Sequence, residues 1–85
     1  MKEHMIPAEV IAHFDTQGII TPYRIRYNLD GKKIIYVSKL LKRNASFSSG
    51  RSVEIFECVG CKDDYEIIFV LNYEKRINQW FLTKL

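Results

Sequence analysis

Turn signals at short, regular intervals are the feature that most limits how this chain can fold. Residues 15–18 (Asp-Thr-Gln-Gly) and 28–31 (Asn-Leu-Asp-Gly) are typical turn sequences, and Asp30-Gly31 supplies two positive-φ positions for a tight hairpin. Further breaks are predicted in the small polar stretch 45–52, at 59–64 and at Glu74-Lys75. Such spacing, roughly ten residues between turns, is typical of strands joined by hairpins.

The segments between these turns have the composition and alternation of β-strands. In residues 19–28, Ile25 and Tyr27 fall on one face, and Arg24 and Arg26 fall on the other. Residues 67–71 are apolar on both faces, which predicts a central strand covered on both sides. The other strand-like segments are 33–42, 52–59, 65–73 and 76–85.

Residues 7–14 allow two interpretations. Pro7 suits the first position of a helix, which favours a short N-terminal helix. Apolar residues also stand at every second position, at Val10, Ala12 and Phe14. This alternation favours a first strand that leads into the turn at 15–18. We expect a strand, with the helix as the alternative.

The predicted fold is one all-β domain spanning residues 1–85. Five or six antiparallel strands in sequence order would form a meander that curls into a small barrel or half-barrel. The 11 aromatic residues favour strands over helices. No apolar run approaches the ~20 residues of a membrane-spanning helix, and the N-terminus does not resemble a secretory signal. Because the chain has only two cysteines and no such signal, these features favour a location in the reducing cytoplasm.

Cys58 and Cys61 have the C-x-x-C spacing of redox and zinc sites. A strand rather than a helix follows them, so no helix N-terminus would stabilise a thiolate. A structural zinc site needs four ligands, and the chain adds only His4 and His13 to its carboxylates. We therefore expect no metal: Gly60 takes a positive φ in a β-turn, Cys58 packs as a small hydrophobe and Cys61 lies near the surface. A zinc ion shared by Cys58 and Cys61 of two chains is the alternative.

The sequence contains no pattern that designates an enzyme. His13 and Asp15 share a face of the first strand, but no nucleophile accompanies them. The four glycines stand at separate positions and form no phosphate-binding loop. We expect neither catalytic residues nor a cofactor.

Charge is divided unevenly along the chain. Residues 24–51 contain eight Lys and Arg against one Asp, and residues 52–74 contain six Asp and Glu against one Lys. A two-residue loop at Asp30-Gly31 would place Leu29 opposite Lys32, with the basic residues on one face and the tyrosines on the other. The predicted binding residues on and near this basic face are Arg24, Arg26, Lys33, Ile35, Val37, Lys39, Lys42 and Arg43.

Two functions suit this basic face. Ile35 and Val37 among cations favour a binding or accessory module that acts through a protein partner or self-association. Single-stranded nucleic acid is the alternative partner, because cations can follow phosphates while aromatic rings stack on bases. The expected register weakens this alternative, since it places Tyr27 and Tyr36 on the opposite face.

The first half of the chain also resembles small uncharacterised bacterial β-domain proteins over residues 9–41. The shared pattern is a strand ending in Asp, a turn Gly, a Pro, a basic-apolar pair and a Tyr-x-Val-like strand. It is carried by Ile11, Phe14, Asp15, Gly18, Pro22, Arg24, Ile25, Tyr36, Val37 and Leu40. The resemblance implies a β fold in a bacterial cytoplasm, and it transfers no activity or site residue.

Overall fold

The structure, a computed structural model, describes residues 5–85 apart from the side chain of Ser48. Each strand pairs antiparallel with the next, and the last pairs with the first, so the sheet closes into a six-stranded barrel. The predicted all-β meander is confirmed, and residues 7–14 lie in a strand. The described residues form no helix, and hence none that could cross a membrane. The strands are β1 (Ile6–Phe14), β2 (Ile20–Asn28), β3 (Lys32–Ser48), β4 (Arg51–Lys62), β5 (Tyr65–Glu74) and β6 (Gln79–Lys84).

Alternating residues of the strands fill the barrel. The Phe56 and Phe69 side chains are fully buried, and Trp80 packs with its ring centroid 5.7 Å from Phe56 and 4.6 Å from Tyr73. Burying each large apolar side chain contributes roughly 2 kcal/mol, so these inward rows account for much of the stability. The other fully buried large apolar side chains are Ile25, Ile35, Leu71 and Leu82.

The turn between β1 and β2 forms as its sequence predicts. The Asp15 carboxylate accepts hydrogen bonds from the backbone N–H groups of Gln17 (2.8 Å) and Ile19 (2.9 Å). Gly18 takes a φ of 81°, which a side chain would strain. These hydrogen bonds lower the pKa of Asp15 from its ordinary value, and the bond from Ile19 has the larger effect.

The hairpin between β2 and β3 has a different register from the predicted one. Asn28 pairs with Lys32, so the loop has three residues, not two. Ile25 therefore lies opposite Ile35, and Arg24 lies opposite Tyr36. Because side chains alternate with a period of two, this one-residue difference exchanges the two faces of β3 relative to β2.

The Cys58–Cys61 segment lies within β4, so the predicted β-turn with Gly60 at positive φ is wrong, although a turn does fall within the predicted region 59–64. The strand continues to Lys62, and the turn consists of Asp63 and Asp64, with φ values of 49° and 70°. Gly60 is extended rather than left-handed. Its role is steric, since an added Cβ would lie 2.7 Å from Phe69 Cε1.

The predicted loop at 45–52 is also shorter than expected. β3 continues through Ser48, and only Ser49 and Gly50 form the turn to β4, with φ values of 53° and 76°. Among residues 5–85, β3 and β4 therefore form the longest hairpin.

β3 leaves its neighbour β2 part-way along its length. The two strands pair only between 24–28 and 32–36. Register shifts against β4 follow at once, between Val37 and Lys39 and between Leu40 and Lys42. Within the described residues, the part of β3 from 38 to 48 pairs with β4 alone. We refer to its other side as the free edge of β3.

Candidate binding site

The outer side of β1, β2 and β3 collects basic, aromatic and aliphatic side chains. Strand pairing places Ile11, Arg24 and Tyr36 in one row across the three strands. Glu9, Arg26 and Ile34 form the adjacent row. We call this surface the hairpin face, and its residues are Glu9, Ile11, Tyr23, Arg24, Arg26, Ile34, Tyr36 and Lys39.

A bulge adds Tyr23 to the hairpin face. The pairing of β1 with β2 passes from Ile11–Arg24 to Ala12–Pro22, which leaves Tyr23 as an extra residue on β2. Tyr23 is 51% exposed and Tyr36 is 57% exposed, so both can contact a ligand. The His13 ring lies beside Tyr23, with 6.1 Å between centroids.

Two of the cations on the hairpin face are available to a partner. Arg26 is already engaged, because its guanidinium donates to the Glu9 carboxylate on the neighbouring strand. Neither Arg24 nor Lys39 forms an ion pair with any residue between 5 and 85. The face therefore presents positive charge beside exposed rings.

The structure divides the predicted binding residues between the two sides of the sheet. Ile35 and Val37 were expected on the basic side, but they point inward, and Ile35 is completely buried. Lys33 also moves to the inner side, because it pairs with the buried Tyr27. Those that remain on the outer side are Arg24, Arg26, Lys39 and Lys42.

Arg43 links β3 to β2 at the point where these two strands separate. Its guanidinium donates to the backbone carbonyl of Ile20 and lies 5.4 Å from the centroid of the Phe56 ring. A cation over an aromatic face is attracted by the ring quadrupole. The surroundings of Arg43 thus indicate a structural role and not the predicted binding role.

The two cysteines lie on opposite sides of β4. Cys58 is fully buried, and this desolvation raises the pKa of its thiol to about 11, whereas Cys61 is exposed and free. The predicted positions of both are confirmed. Their opposed directions do not suit a shared metal ion. Between residues 5 and 85, no three His, Cys, Asp or Glu side chains come together as metal ligands; His4 lies outside the described residues.

Two shallow grooves lie beside this site. One, of about 430 Å³, runs between Lys33 and the Asp63-Asp64 turn and reaches Tyr36 at the edge of the hairpin face. The other, of about 300 Å³, crosses the outer side of β3, β4 and β5 past Lys42 and Asn72. Neither contains the His13–Asp15 pair, and the Asp15 carboxylate is occupied by its own turn.

Comparison with known proteins adds no family to this description. No family model, curated protein or solved structure matches the chain. The resemblance to small bacterial β-domain proteins therefore stays a prediction.

Sequence reasoning missed four residues of the site, namely Ile11, Tyr23, Ile34 and Tyr36. A three-residue loop would have placed Ile34 and Tyr36 beside Arg24 and Arg26 from the sequence alone. Tyr23 depends on a bulge, for which the sequence contains no local signal.

Proposed function

We propose that this protein is a non-enzymatic binding module that contacts a partner protein through its hairpin face. The observation that carries the proposal is the cluster of exposed Ile11, Tyr23, Ile34 and Tyr36 around Arg24. Tyrosine and arginine are enriched at the centres of protein interfaces, and contiguous apolar exposure marks interaction surfaces. Its two free thiols suit a reducing compartment such as the cytoplasm.

The residues of the hairpin face indicate the polarity and charge of the partner's surface. A complementary surface would be apolar at its centre, to cover the tyrosines, and acidic at its rim, to meet Arg24 and Lys39. A second copy placed face to face would bring these cations close to their own counterparts. We therefore propose a different, acidic protein as the partner.

Site-specific photo-cross-linking tests the proposal. A benzophenone amino acid is placed at residue 36 in one strain of the native organism and at residue 65 in another. Tyr65 is the matched control, because it is 74% exposed and belongs to β5, which pairs with β4 and β6 and with no strand of the hairpin face. Cross-linked products are separated by mass and sequenced.

We expect one discrete heterologous product from position 36, and none from position 65. The product should disappear when Arg24→Glu is introduced, because the acidic rim then meets a like charge. Equal labelling from both positions would show non-specific adhesion and refute the proposal. A product of twice the chain mass would show self-association instead.

Single-stranded nucleic acid is the second candidate, and one observation favours it. The corrected register brings the exposed Tyr36 ring directly beside Arg24, so rings and cations share a face. Bases can stack on such rings while the cations follow the phosphates.

Titration with fluorescent single-stranded oligonucleotides at low and moderate salt distinguishes this candidate. Binding should weaken steeply with salt as counterions are released. The double substitution Tyr23→Ser with Tyr36→Ser should abolish binding, while Tyr65→Ser leaves it unchanged. Absence of binding at low salt would exclude nucleic acid and leave the protein partner.

A further inference from the structure

The free edge of β3 is an unoccupied hydrogen-bonding surface. From residue 38 to residue 48, the described structure gives β3 a neighbour on only one side. β2, the strand that would cover the other side, stops pairing at Arg24 and Tyr36. The backbone groups directed away from β4 are therefore available to an additional strand.

Two features keep β2 from covering this edge: bulges separate the start of the edge from residues 20–23 of β2, and the remainder extends beyond Ile20, where β2 begins. Each of the two register shifts adds a residue to β3 and bends the strand, which carries its second half away from β2. Arg43 reaches across the opening to the Ile20 carbonyl, so the opening is spanned by a side chain and not by a backbone ladder.

Side chains along the edge indicate the chemistry of an added strand. Lys39, Lys42 and Arg43 make this part of β3 basic, and between residues 38 and 48 it contains no acidic residue. Leu41 is 44% exposed and Phe47 is 78% exposed, so apolar contacts are available between the cations. Lysines on an edge disfavour pairing with another basic strand.

We propose that the free edge of β3 binds an extended acidic segment of another protein by β-strand addition. In this mode, backbone hydrogen bonds hold the segment, and alternate side chains select it. Glutamate or aspartate at alternate positions would face the cations of β3, since opposite charges across paired strands attract. A second copy of this chain is the poorer occupant, because β3 paired with β3 would bring basic residues together.

This inference does not depend on the proposed function, because it rests on the backbone edge of β3 and shares only Lys39 with the hairpin face. The two can therefore fail separately. Tyr36→Ser, which alters the hairpin face, should leave strand addition unchanged.

The test uses a short, capped, fluorescent peptide of alternating glutamate and threonine. Its matched controls are the same peptide with N-methylated backbone amides and a lysine–threonine peptide of equal length. Binding is followed by anisotropy, and the location of binding by amide chemical shifts of isotope-labelled protein.

We expect the glutamate peptide alone to bind and to shift amide signals within residues 38–48. Lys39→Glu with Lys42→Glu should weaken binding by about tenfold or more. The same change in charge away from the edge, Lys32→Glu with Lys62→Glu, should have a much smaller effect.

Four results would overturn the inference. Equal binding of the N-methylated peptide would show simple charge attraction without strand pairing. Shifts confined to the hairpin face, or no binding of the glutamate peptide at all, would show that the edge is not a recognition site. A concentration-dependent dimer whose formation shifts amide signals within residues 38–48 would identify a second copy as the occupant.

Discussion

Gly60 lies so close to Ile35 that a Cβ on Gly60 would come within 2.5 Å of Ile35 Cγ2. The same Cβ would lie 3.0 Å from the Tyr36 carbonyl oxygen, which is backbone and cannot move aside easily. Gly60→Ala should therefore destabilise the protein by about 1–3 kcal/mol through overpacking. Urea unfolding followed by Trp80 emission measures this change, because Trp80 packs against the core.

A double-mutant cycle checks the cause. In an Ile35→Ala background, the Cγ2 atom is gone, so Gly60→Ala should cost less than it does in the wild type. An equal cost in both backgrounds would show that the contact with Ile35 is not responsible.

The register of the β2–β3 hairpin predicts opposite results at two adjacent isoleucines. Ile35→Glu buries a charge in the core and should prevent folding. Ile34→Glu should change stability by less than about 1 kcal/mol, because Ile34 is 36% exposed on the outer side. Circular dichroism and proton NMR distinguish these outcomes. A folded Ile35→Glu protein would contradict the register.

The thiols of Cys58 and Cys61 should react at very different rates. The thiolate is the nucleophile, and burial raises the pKa of Cys58 from 9.0 to about 11, whereas Cys61 is exposed. Iodoacetamide at about pH 8 should add one label to the native protein and two after denaturation. Cys61→Ser should remove the native label, as mass spectrometry would show. Two rapid additions to the native protein would contradict the buried position of Cys58.

Arg43 should matter for stability more than its exposed neighbour Lys42. Arg43→Met removes the hydrogen bond to the Ile20 carbonyl and the cation over Phe56, and it should cost about 1–2 kcal/mol. Lys42→Met removes the same charge from the outer side and serves as the control. Thermal unfolding compares the two variants, and equal losses would mean that the bridge across the opening contributes little.

The turn at Asp15 should make stability depend on acid pH. Hydrogen bonds from Ile19 and Gln17 favour the carboxylate and lower its pKa below 3.8. This contribution is present above pH 3.8 and is lost as the pH falls through the lowered value. The difference in melting temperature between wild type and Asp15→Asn should therefore narrow at acid pH. A constant difference would show that ionisation of Asp15 does not contribute.

Alternation and turn residues were sufficient to predict the strands and the all-β barrel, because each is a local property of the sequence. The burial of Cys58 was also predicted, and it lies two residues from Phe56 on the same face of β4. The composition of the hairpin face, in contrast, was not predicted correctly. Asp30 and Gly31 both take positive φ as predicted, but Leu29 joins them in the loop, and this one residue moves Ile35 inside and Tyr36 outside.

Long-range packing limited the rest of the prediction. A glycine within a predicted turn suggests a positive φ, yet at position 60 glycine is required because an added Cβ would clash with residues of β3 and β5. In the sequence Arg43 is one more cation of a basic segment, and only the separation of β2 from β3 lets it reach the Ile20 carbonyl. Neither relationship is encoded within a few residues of the position concerned.

Closure of the barrel by β1 and β6 has a kinetic consequence. The contact of Ile6 with Leu82 joins residues from the two ends of the described chain, and loop-closure entropy opposes it most strongly. The hairpins, such as β3 with β4, join residues close in sequence and can form within microseconds. We therefore expect the hairpins to form early and the seam between β1 and β6 to close last. Substitutions at the seam should then accelerate unfolding while leaving the refolding rate nearly unchanged.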